Sequence, residues 1–229
     1  MKICGLQKVT LLDFPGHVAC TVFLGGCNFD CPFCYNSGLI RQDGVEILTK
    51  EEFFRYLNKR IGILDGVAIT GGEPLIHPDI IDFIKEIRNL GFKVKLDTNG
   101  SFPNVLKKIL DESLVEYVAM DIKNTYKKYK YTIDCNIDVL KIKESISLLI
   151  NSNIDYEFRT TVVNELHEVE DFKEIGNMIK GAKKYFIQSY QYQDSVRIKT
   201  LTPMTKDMLN QCLDNIKEYV EYASLREIE

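Results

Sequence analysis

The sequence predicts an α/β protein, an open partial (β/α)6 barrel with parallel strands. Two features of the chain support this fold class. Short apolar runs alternate with longer amphipathic runs along the whole sequence, which is the pattern of strands and helices in turn. Glycine or polar residues follow most of the apolar runs, as expected where strands end in loops. Parallel strands need a helix to return the chain, and these crossovers are right-handed, so a succession of them favours a curled, partly closed sheet.

The first three strands are predicted from apolar runs that end in glycine or aspartate. They span His17–Leu24, Gly66–Thr70 and Phe92–Leu96. A Gly-Gly pair follows each of the first two runs, and Asp97 follows the third. Because glycine adopts backbone conformations closed to other residues, each pair marks the end of a strand.

The helices between and after these strands have recognisable ends. Thr49 is predicted as an N-cap because Glu52 follows three residues later, and this capping box opens a helix that runs to about Arg60. Apolar residues at helical spacing predict a second helix at Pro78–Leu90, with Gly91 just past its end. A short third helix is predicted at Asn104–Leu110.

The second half of the chain repeats the alternation. Strands are predicted, in order, at Tyr117–Ile122, Ile154–Val163 and Lys184–Gln188. The helices that follow them are predicted at Ile137–Ile150, Val169–Ile179 and Thr205–Tyr222. One irregular connection remains, the basic and tyrosine-rich segment Lys123–Cys135. Since no linker, repeat or low-complexity segment interrupts the pattern, we expect a single domain over residues 1–229.

Composition and charge narrow the classes of partner. The net charge is −4 and the sequence pI is about 5.6, so there is no general electrostatic reason to bind nucleic acid or an anionic membrane. No apolar stretch approaches the roughly 18 residues of a membrane span, and the N-terminal residues do not resemble a signal peptide. We therefore expect a cytoplasmic protein that binds neither nucleic acid nor membrane.

Three of the seven cysteines lie within eight positions, in the run GGCNFDCPFCYN at residues 25–36. Cys27, Cys31 and Cys34 have the spacing Cys-x3-Cys-x2-Cys, directly after the first predicted strand. Clustered cysteines in a reducing compartment indicate metal or redox chemistry, and thiolates are the usual ligands of iron–sulfur clusters. Three thiolates on a four-iron cluster would leave one iron open for chemistry.

Structural zinc and a chance grouping of free thiols are the alternatives for this loop. Structural zinc requires four closed ligands, and no fourth ligand is close in the sequence. The nearest histidine is His17, which precedes Cys27 by ten residues and lies in the predicted strand. The spacing therefore favours an iron–sulfur cluster, with zinc left open.

Polar residues stand at the predicted strand exits, where function collects in parallel-strand barrels. Each group also has an ordinary structural interpretation: a turn at Gly-Gly-Glu-Pro, an Asx turn at Asp-Thr-Asn-Gly, and an exposed ion pair at Asp-x-Lys. The fifth strand carries alternating polar residues, which are expected to point into a polar lumen. The residues concerned are Gly71, Gly72 and Glu73; Asp97, Thr98 and Asn99; Asp121 and Lys123; Glu157, Arg159 and Thr161; and Gln188.

The cysteine loop, with Phe33 as the aromatic residue of Cys-x3-Cys-x-aromatic-Cys, resembles the signature of the radical S-adenosylmethionine (SAM) superfamily. The wider context LLDFPGHVACTVFLGGCNFDCPFCYN resembles the glycyl-radical-enzyme activating branch, and most closely the activating proteins of anaerobic ribonucleoside-triphosphate reductase. The likeness extends through most of the chain. One departure is Tyr35, which stands where this branch usually has histidine and is not a ligand.

The resemblance implies a fold, two cofactors and a set of site residues. Cys27, Cys31 and Cys34 would hold one [4Fe-4S] cluster, and Glu73 would bind the amino group of SAM. The Asp-Thr-Asn-Gly run would lie beside SAM and help to bind a monovalent cation, while Lys123 would contact the SAM carboxylate or ribose. The full set of implied SAM-binding residues is Phe33, Tyr35, Gly71, Gly72, Glu73, Asp97, Thr98, Asn99, Asp121, Lys123, Arg159 and Gln188.

The same resemblance implies the reaction. Flavodoxin or ferredoxin would supply one electron, SAM would be cleaved to a 5′-deoxyadenosyl radical, and that radical would take a hydrogen atom from a glycine of a partner enzyme. Anaerobic ribonucleoside-triphosphate reductase is the preferred partner, and a pyruvate formate-lyase-type enzyme follows. The rival classes are a radical SAM enzyme that modifies RNA or a peptide, and a non-enzymatic iron–sulfur or zinc protein.

Several other residues are expected to have no chemical role. His77 is interpreted as a residue that precedes a helix, and His167 as a solvated residue of a polar loop. The lysines of the irregular segment are interpreted as a solvated loop, and the four remaining cysteines as small apolar fillers or exposed thiols. These residues are Lys127, Lys128, Lys130, Cys4, Cys20, Cys135 and Cys212.

Overall fold

Eight strands follow one another along a single sheet, in the order β1 to β8, in the computed structural model, which describes residues 1–40 and 46–226. The strands are β1 Ile3–Thr10, β2 Ala19–Leu24, β3 Gly66–Gly71, β4 Lys93–Thr98, β5 Tyr117–Asp121, β6 Asp155–Val162, β7 Lys184–Ser189 and β8 Tyr222–Arg226. The helices are α1 Ser37–Ile40, α2 Lys50–Asn58, α3 Ile80–Asn89, α4 Pro103–Asp111, α5 Tyr129–Ile133, α6 Val139–Ile150, α7 Asp171–Met178 and α8 Lys206–Ile216, with a 3₁₀ turn at Pro74–Ile76.

The sheet is open and its strands are mainly parallel, so the predicted α/β fold class is confirmed. The pairs β2–β3, β3–β4, β6–β7 and β7–β8 are parallel, and only β1 is recorded as antiparallel, to β2, among the pairs that the structure describes. Each of β2 to β7 is followed by at least one helix, as predicted. The parallel arrangement brings the carboxyl ends of neighbouring strands to one edge, where the sequence places its polar residues.

The structure differs from the predicted elements in some of their ends and in elements that were not predicted. The predicted helix Thr205–Tyr222 ends at Ile216, because Tyr222 already pairs with β7 as the first residue of β8. The segment predicted to be irregular contains α5, whose buried face includes Tyr129. Strand β4 continues beyond its predicted end and includes Asp97 and Thr98. Strand β1 was not predicted, because its mixed burial gives no clear alternation.

Two compact units are distinguished within the described residues. The first comprises residues 1–28, 38–98 and 104–119, and its core packs the aromatic side chains of α2 and α3 together. The rings of Phe53 and Phe83 lie 5.5 Å apart and both are fully buried. Helix α2 begins as predicted, because Thr49 and Glu52 form a capping box at its N-terminus.

The second unit comprises residues 29–37, 99–103 and 120 onward, and its core lies against β6 and β7. Tyr156, Phe158 and Tyr185 are almost fully buried there, and the Tyr185 hydroxyl donates to Thr160 Oγ1 at 2.7 Å. His167 is also buried in this unit, at 2% exposure, so its interpretation as a solvated loop residue was wrong. Its ring is held by backbone groups, which replace the water that a polar loop residue would use.

Candidate functional site

The exits of β2 and β3 approach each other closely in the first unit. Gly72 N donates to Leu24 O at 2.8 Å, and Glu73 N donates to Gly26 O at 2.9 Å. A Cβ atom on Gly72 would lie 1.9 Å from Gly26 O and 3.4 Å from Cys27 Cβ. Only glycine allows this approach, which places Cys27 directly beside the Gly-Gly-Glu loop.

Glu73 is a fully buried carboxylate at the exit of β3. Its Oε1 accepts hydrogen bonds from Thr98 Oγ1 at 2.8 Å and from Leu75 N at 3.0 Å. The second bond caps the 3₁₀ turn, so the predicted turn is present and also fixes the side chain. The structure therefore brings together Glu73 and Thr98, which are 25 residues apart.

Asp97 lies within β4 and forms an ion pair with Lys95, which the sequence analysis did not single out. The Lys95 side chain is only 4% exposed, so this pair is largely shielded from water. Spacing alone could have indicated it, because residues two apart on a strand share a face. Asp97, a predicted site residue, therefore already has a lysine ammonium group as an ion-pair partner.

Asn99 forms the predicted Asx turn in the second unit. Its Oδ1 accepts from Ser101 N at 3.0 Å and from Ser101 Oγ at 2.5 Å. The following Gly100 has a φ of +77°, and a Cβ atom there would lie 2.0 Å from Met120 Cε. The Asp-Thr-Asn-Gly run is therefore fixed by its own turn and by close packing against β5.

Asp121, Lys123 and Arg159 form a charged triad at the exit of β5. Lys123 Nζ lies 2.9 Å from Asp121 Oδ2, and Arg159 Nε lies 2.9 Å from Asp121 Oδ1. The lysine and arginine side chains are 16% and 15% exposed, so the pair predicted as an exposed alternative is in fact largely shielded. The triad fixes the direction of all three side chains.

The charges of the triad shift the pKa values of Asp121 and Lys123. Burial would raise the pKa of Asp121, but the charges of Arg159 and Lys123 hold the pKa well below the ordinary value. Burial would lower the pKa of Lys123, but the negative charges of Asp121 and of an ionised Cys31 raise the pKa well above the ordinary value. Asp121 is therefore an anion and Lys123 a cation at neutral pH.

Cys31 and Cys34 belong to the second unit with these charges. Cys34 N donates to Cys31 O at 3.2 Å, and this turn brings the two residues to one bend of the loop. Burial raises the pKa of the Cys34 thiol, although the nearby Lys123 opposes the shift. Lys123 Nζ also lies 5.9 Å from the centre of the buried Phe33 ring. This set of thiols beside an ammonium group fits an anionic, thiolate-held iron–sulfur cluster.

The remaining predicted residues lie on or near β6 and β7. Gln188 lies within β7, in register with Thr161 of β6 and Arg226 of β8. Glu157 is 1% exposed and is paired with Arg226, at 2.7 Å and 3.1 Å, a partner 69 residues away that no local pattern indicates. The polar face predicted for β6 therefore contains an ion pair.

Tyr35 lies on the second-unit part of the cysteine loop. Its hydroxyl accepts a hydrogen bond from Gln191 N at 2.8 Å, and its ring stacks on Tyr190 with centroids 6.0 Å apart.

Two features are absent from residues 1–40 and 46–226. In this part of the chain, no three His, Cys, Asp or Glu side chains form a group able to hold a single metal ion. None of its helices combines the length and apolar character needed to cross a membrane.

Comparison with known proteins gives matches over nearly the whole chain. The family model described as the radical SAM superfamily matches residues 21–179. A Methanocaldococcus jannaschii protein, named as a putative glycyl-radical enzyme activating enzyme, is 32% identical over 99% of this chain and 96% of its own length. The pyruvate formate-lyase-activating enzyme of Clostridium pasteurianum is 25% identical over 96% of this chain and 98% of its own.

Solved structures share the fold. SuiB of Streptococcus suis, in a crystal structure with bound SAM, gives a TM-score of 0.68 at 12% identity and covers 91% of this chain and 52% of its own. A structure of TYW1 gives a TM-score of 0.65 at 16% identity, over 90% of this chain and 74% of its own. At this level of identity the likeness concerns the arrangement of strands and helices alone.

Proposed function

The chain belongs to the radical SAM superfamily and, within it, to the glycyl-radical enzyme activating enzymes; on this premise we propose that it installs a glycyl radical on an anaerobic ribonucleoside-triphosphate reductase. The observation that carries the activating role is similarity over almost the full length to proteins named as activating enzymes. The superfamily implies a [4Fe-4S] cluster and SAM as cofactors. Bound together and given one electron by a reductant, they would supply methionine and a 5′-deoxyadenosyl radical able to take a hydrogen atom from glycine.

We propose Cys27, Cys31 and Cys34 as the cluster ligands. The support is the number and type of the donors: three thiols on one loop of eight residues, with Lys123 placed to offset the charge of two of them. Because three ligands leave one iron of a four-iron cluster without a protein donor, SAM has a position to occupy.

We propose that Glu73 binds the amino group of SAM, since its carboxylate is buried and already oriented by Thr98. Lys123 and Arg159 are the cations available for the carboxylate and ribose, and Asp121 holds both in place. Gly71 and Gly72, which the exit of β2 approaches closely, are proposed to contribute backbone contacts to SAM. Contacts with the rest of SAM are assigned to Phe33, Tyr35, Asp97, Thr98, Asn99 and Gln188.

The identity of the partner is the finer part of the proposal. A pyruvate formate-lyase-type enzyme is the second candidate, favoured by the full-length similarity to the Clostridium pasteurianum activating enzyme. Flavodoxin or ferredoxin is proposed as the electron donor, and the cytoplasm as the compartment. We also propose that a monovalent cation binds beside Asp97. Residues 1–229 are proposed to form a single domain.

The cluster assignment is tested by a Cys31→Ala variant, with Cys4→Ala as the matched control. Cys4 is half-buried like Cys34 but lies on β1, outside the loop. We expect Cys31→Ala to lose bound iron and all formation of 5′-deoxyadenosine with dithionite, while Cys4→Ala keeps both. Normal cleavage by Cys31→Ala would refute the assignment, and a colourless wild-type protein that binds zinc would identify the non-enzymatic class.

The partner is tested by electron paramagnetic resonance on anaerobic mixtures. The reduced protein and SAM are combined separately with an anaerobic ribonucleoside-triphosphate reductase and with a pyruvate formate-lyase-type enzyme. We expect a glycyl radical doublet with the reductase alone. A doublet only with the second enzyme would transfer the assignment to it, and radical transfer to RNA or a peptide instead would support the rival enzyme class.

A further inference from the structure

The part of the cysteine loop in the second unit is held at positions that flank its ligands. Asp30, directly before Cys31, donates its backbone N–H to Ile133 O at 3.1 Å. Its backbone carbonyl accepts from Arg197 Nη2 at 2.9 Å. Pro32, directly after Cys31, accepts at its carbonyl from Ile198 N at 3.2 Å. Cys31 therefore lies between two residues whose backbones are both anchored.

Cys34 is flanked in the same way on its C-terminal side. Tyr35 follows it, and the Tyr35 hydroxyl accepts from Gln191 N at 2.8 Å. The ring of Tyr35 is stacked on buried Tyr190, with an interplanar angle of 9°. Ser37 Oγ donates to Ser195 O. Apart from Ile133 of α5, all the partners of the cysteine loop named above lie in residues 190–198, which we name the clamp segment.

Arg197 joins the clamp segment to α5. Its Nη2 lies 2.5 Å from Asp134 Oδ2, and its Nε lies 3.7 Å from the carboxylate of Asp30. Asp134 ends α5 in the left-handed conformation, with a φ of +50°. Among residues other than glycine, Asn and Asp adopt this conformation at the lowest cost, so a carboxylate can be presented there.

We propose that the clamp segment, acting through Arg197 and Tyr35, is the device that positions Cys31 and Cys34 as cluster ligands. This inference rests on the proposed function only in taking these two cysteines as ligands. Ligands of a metal centre work best when surrounding hydrogen bonds fix them before the metal binds. Here the fixing groups come from a segment more than 150 residues away in sequence, as the Tyr35–Gln191 separation of 156 shows.

The clamp is tested first by hydrogen–deuterium exchange on the full-length protein, with and without iron. An arginine bond to a carbonyl and carboxylate is charge-assisted, so Arg197→Gln is expected to speed amide exchange in residues 29–35 by about tenfold. Tyr35→Phe keeps the ring stacking and removes one neutral bond, and about fivefold is expected. Arg197→Lys, which keeps the charge, should give a smaller effect than Arg197→Gln.

Matched controls come from exposed residues of the same types. Arg55→Gln on α2 and Tyr131→Phe on α5 should leave exchange in residues 29–35 unchanged. Asp134→Asn preserves the left-handed conformation but removes the charge, and should fall between Arg197→Gln and the wild type. Thermal midpoints of all variants are measured to check that the fold is retained. If Arg197→Gln does not fold, Arg197→Lys replaces it in the same measurements.

The second readout is the rate at which a chelator removes iron from the reconstituted protein under anaerobic conditions. We expect faster release from Arg197→Gln and Tyr35→Phe than from their controls. Unchanged exchange in both variants overturns the clamp, and faster exchange with wild-type iron release overturns its role in positioning the ligands. A wild-type protein that takes up no iron instead refutes the proposed function, while the exchange data still decide whether the clamp exists.

Discussion

Glu73 illustrates how one side chain can be fixed before any ligand arrives. Its carboxylate is fully buried, yet two hydrogen-bond donors, Thr98 Oγ1 and Leu75 N, already hold one oxygen. A buried carboxylate with fixed donors costs little to reorganise when a cation binds. The position therefore suits recognition of an amine, the role proposed for it with SAM.

The charge of Glu73 is tested by Glu73→Gln, which keeps an oxygen for Thr98 and Leu75. A hydrogen bond to a charged group is worth about 1.5–3 kcal/mol, so affinity for SAM should fall about tenfold or more. Equilibrium binding of SAM to the reconstituted protein measures this loss. Glu144→Gln, at an exposed position on α6, is the control and should bind normally. Equal affinity in both variants would remove Glu73 from the binding site.

The buried side chain of His167 is expected to make the stability of the protein depend on pH. Val163 N donates to its Nδ1 at 3.1 Å, and Nε2 lies 2.8 Å from Lys123 O, so the buried ring is held in its neutral form. Burial lowers the pKa of His167; backbone contacts and Asp171 partly oppose this, and Lys128 adds to it. The unfolded chain, with a histidine pKa near 6.5, therefore takes up the proton first as the pH falls.

We expect the resulting stability to be complete above about pH 6.5 and to be lost as the pH falls toward the lower folded-state pKa. Urea unfolding of iron-free protein at several pH values measures it. The wild type should lose up to about 1.4 kcal/mol per pH unit more than His167→Gln below pH 6.5. Parallel curves for the two proteins would show that another group carries the pH dependence.

At the scale of elements, the close approach of the β2 and β3 exits requires glycine at position 72, because there is no room for a side chain. In Gly72→Ala the new Cβ would meet two backbone atoms, Gly26 O at 1.9 Å and Gly26 C at 2.6 Å, so the β2 and β3 exits must part. We expect the free energy of unfolding to fall by about 1–3 kcal/mol, with lower iron content. Gly38→Ala is the control, because no atom lies within 4 Å of its Cβ position. A stable, iron-replete Gly72→Ala protein would contradict this account of the exits.

The elements also show which features the sequence could predict. The capping box of α2 and the Asp121–Lys123 pair involve residues two or three apart, where backbone geometry alone sets the contact. Strand β8 and the Arg197–Asp30 bond could not be predicted in this way. They join positions distant in the chain, 167 residues apart for Arg197 and Asp30, and depend on how the whole sheet is ordered.

The same distinction applies to the candidate site. Strand exits predicted Glu73, Thr98, Asp121 and Lys123 as site residues, and alternation along the fifth predicted strand predicted Arg159. The sequence did not single out Lys95, Arg197 and Arg226, which pair with Asp97, Asp30 and Glu157 respectively. Each of these is a basic residue whose partner is set by register or by tertiary contact, and composition makes lysine and arginine too common to single out.

At the scale of the whole molecule, the sheet order runs from β1 to β8, and neither of these two terminal strands was predicted from the sequence. Arg226, the last described residue of the chain, holds β8 through both oxygens of Glu157. The Arg226 guanidinium also lies 3.6 Å from the centre of the Phe186 ring. Glu157 is buried and Arg226 is partly exposed, so most of the cost of breaking this pair falls on the carboxylate.

We expect Arg226→Gln to lower the free energy of unfolding by about 2 kcal/mol or more, because it removes the guanidinium that contacts both oxygens of the buried Glu157 carboxylate. The double variant Glu157→Gln/Arg226→Gln should recover part of the loss, since the charge of the buried carboxylate is then removed as well. Lys217→Gln, which breaks a surface pair with Asp214, should cost less than about 1 kcal/mol. Denaturant unfolding of the four proteins measures these differences. A double variant less stable than Arg226→Gln would mean that Glu157 contributes something beyond this pair, and that β8 is not held mainly by charge.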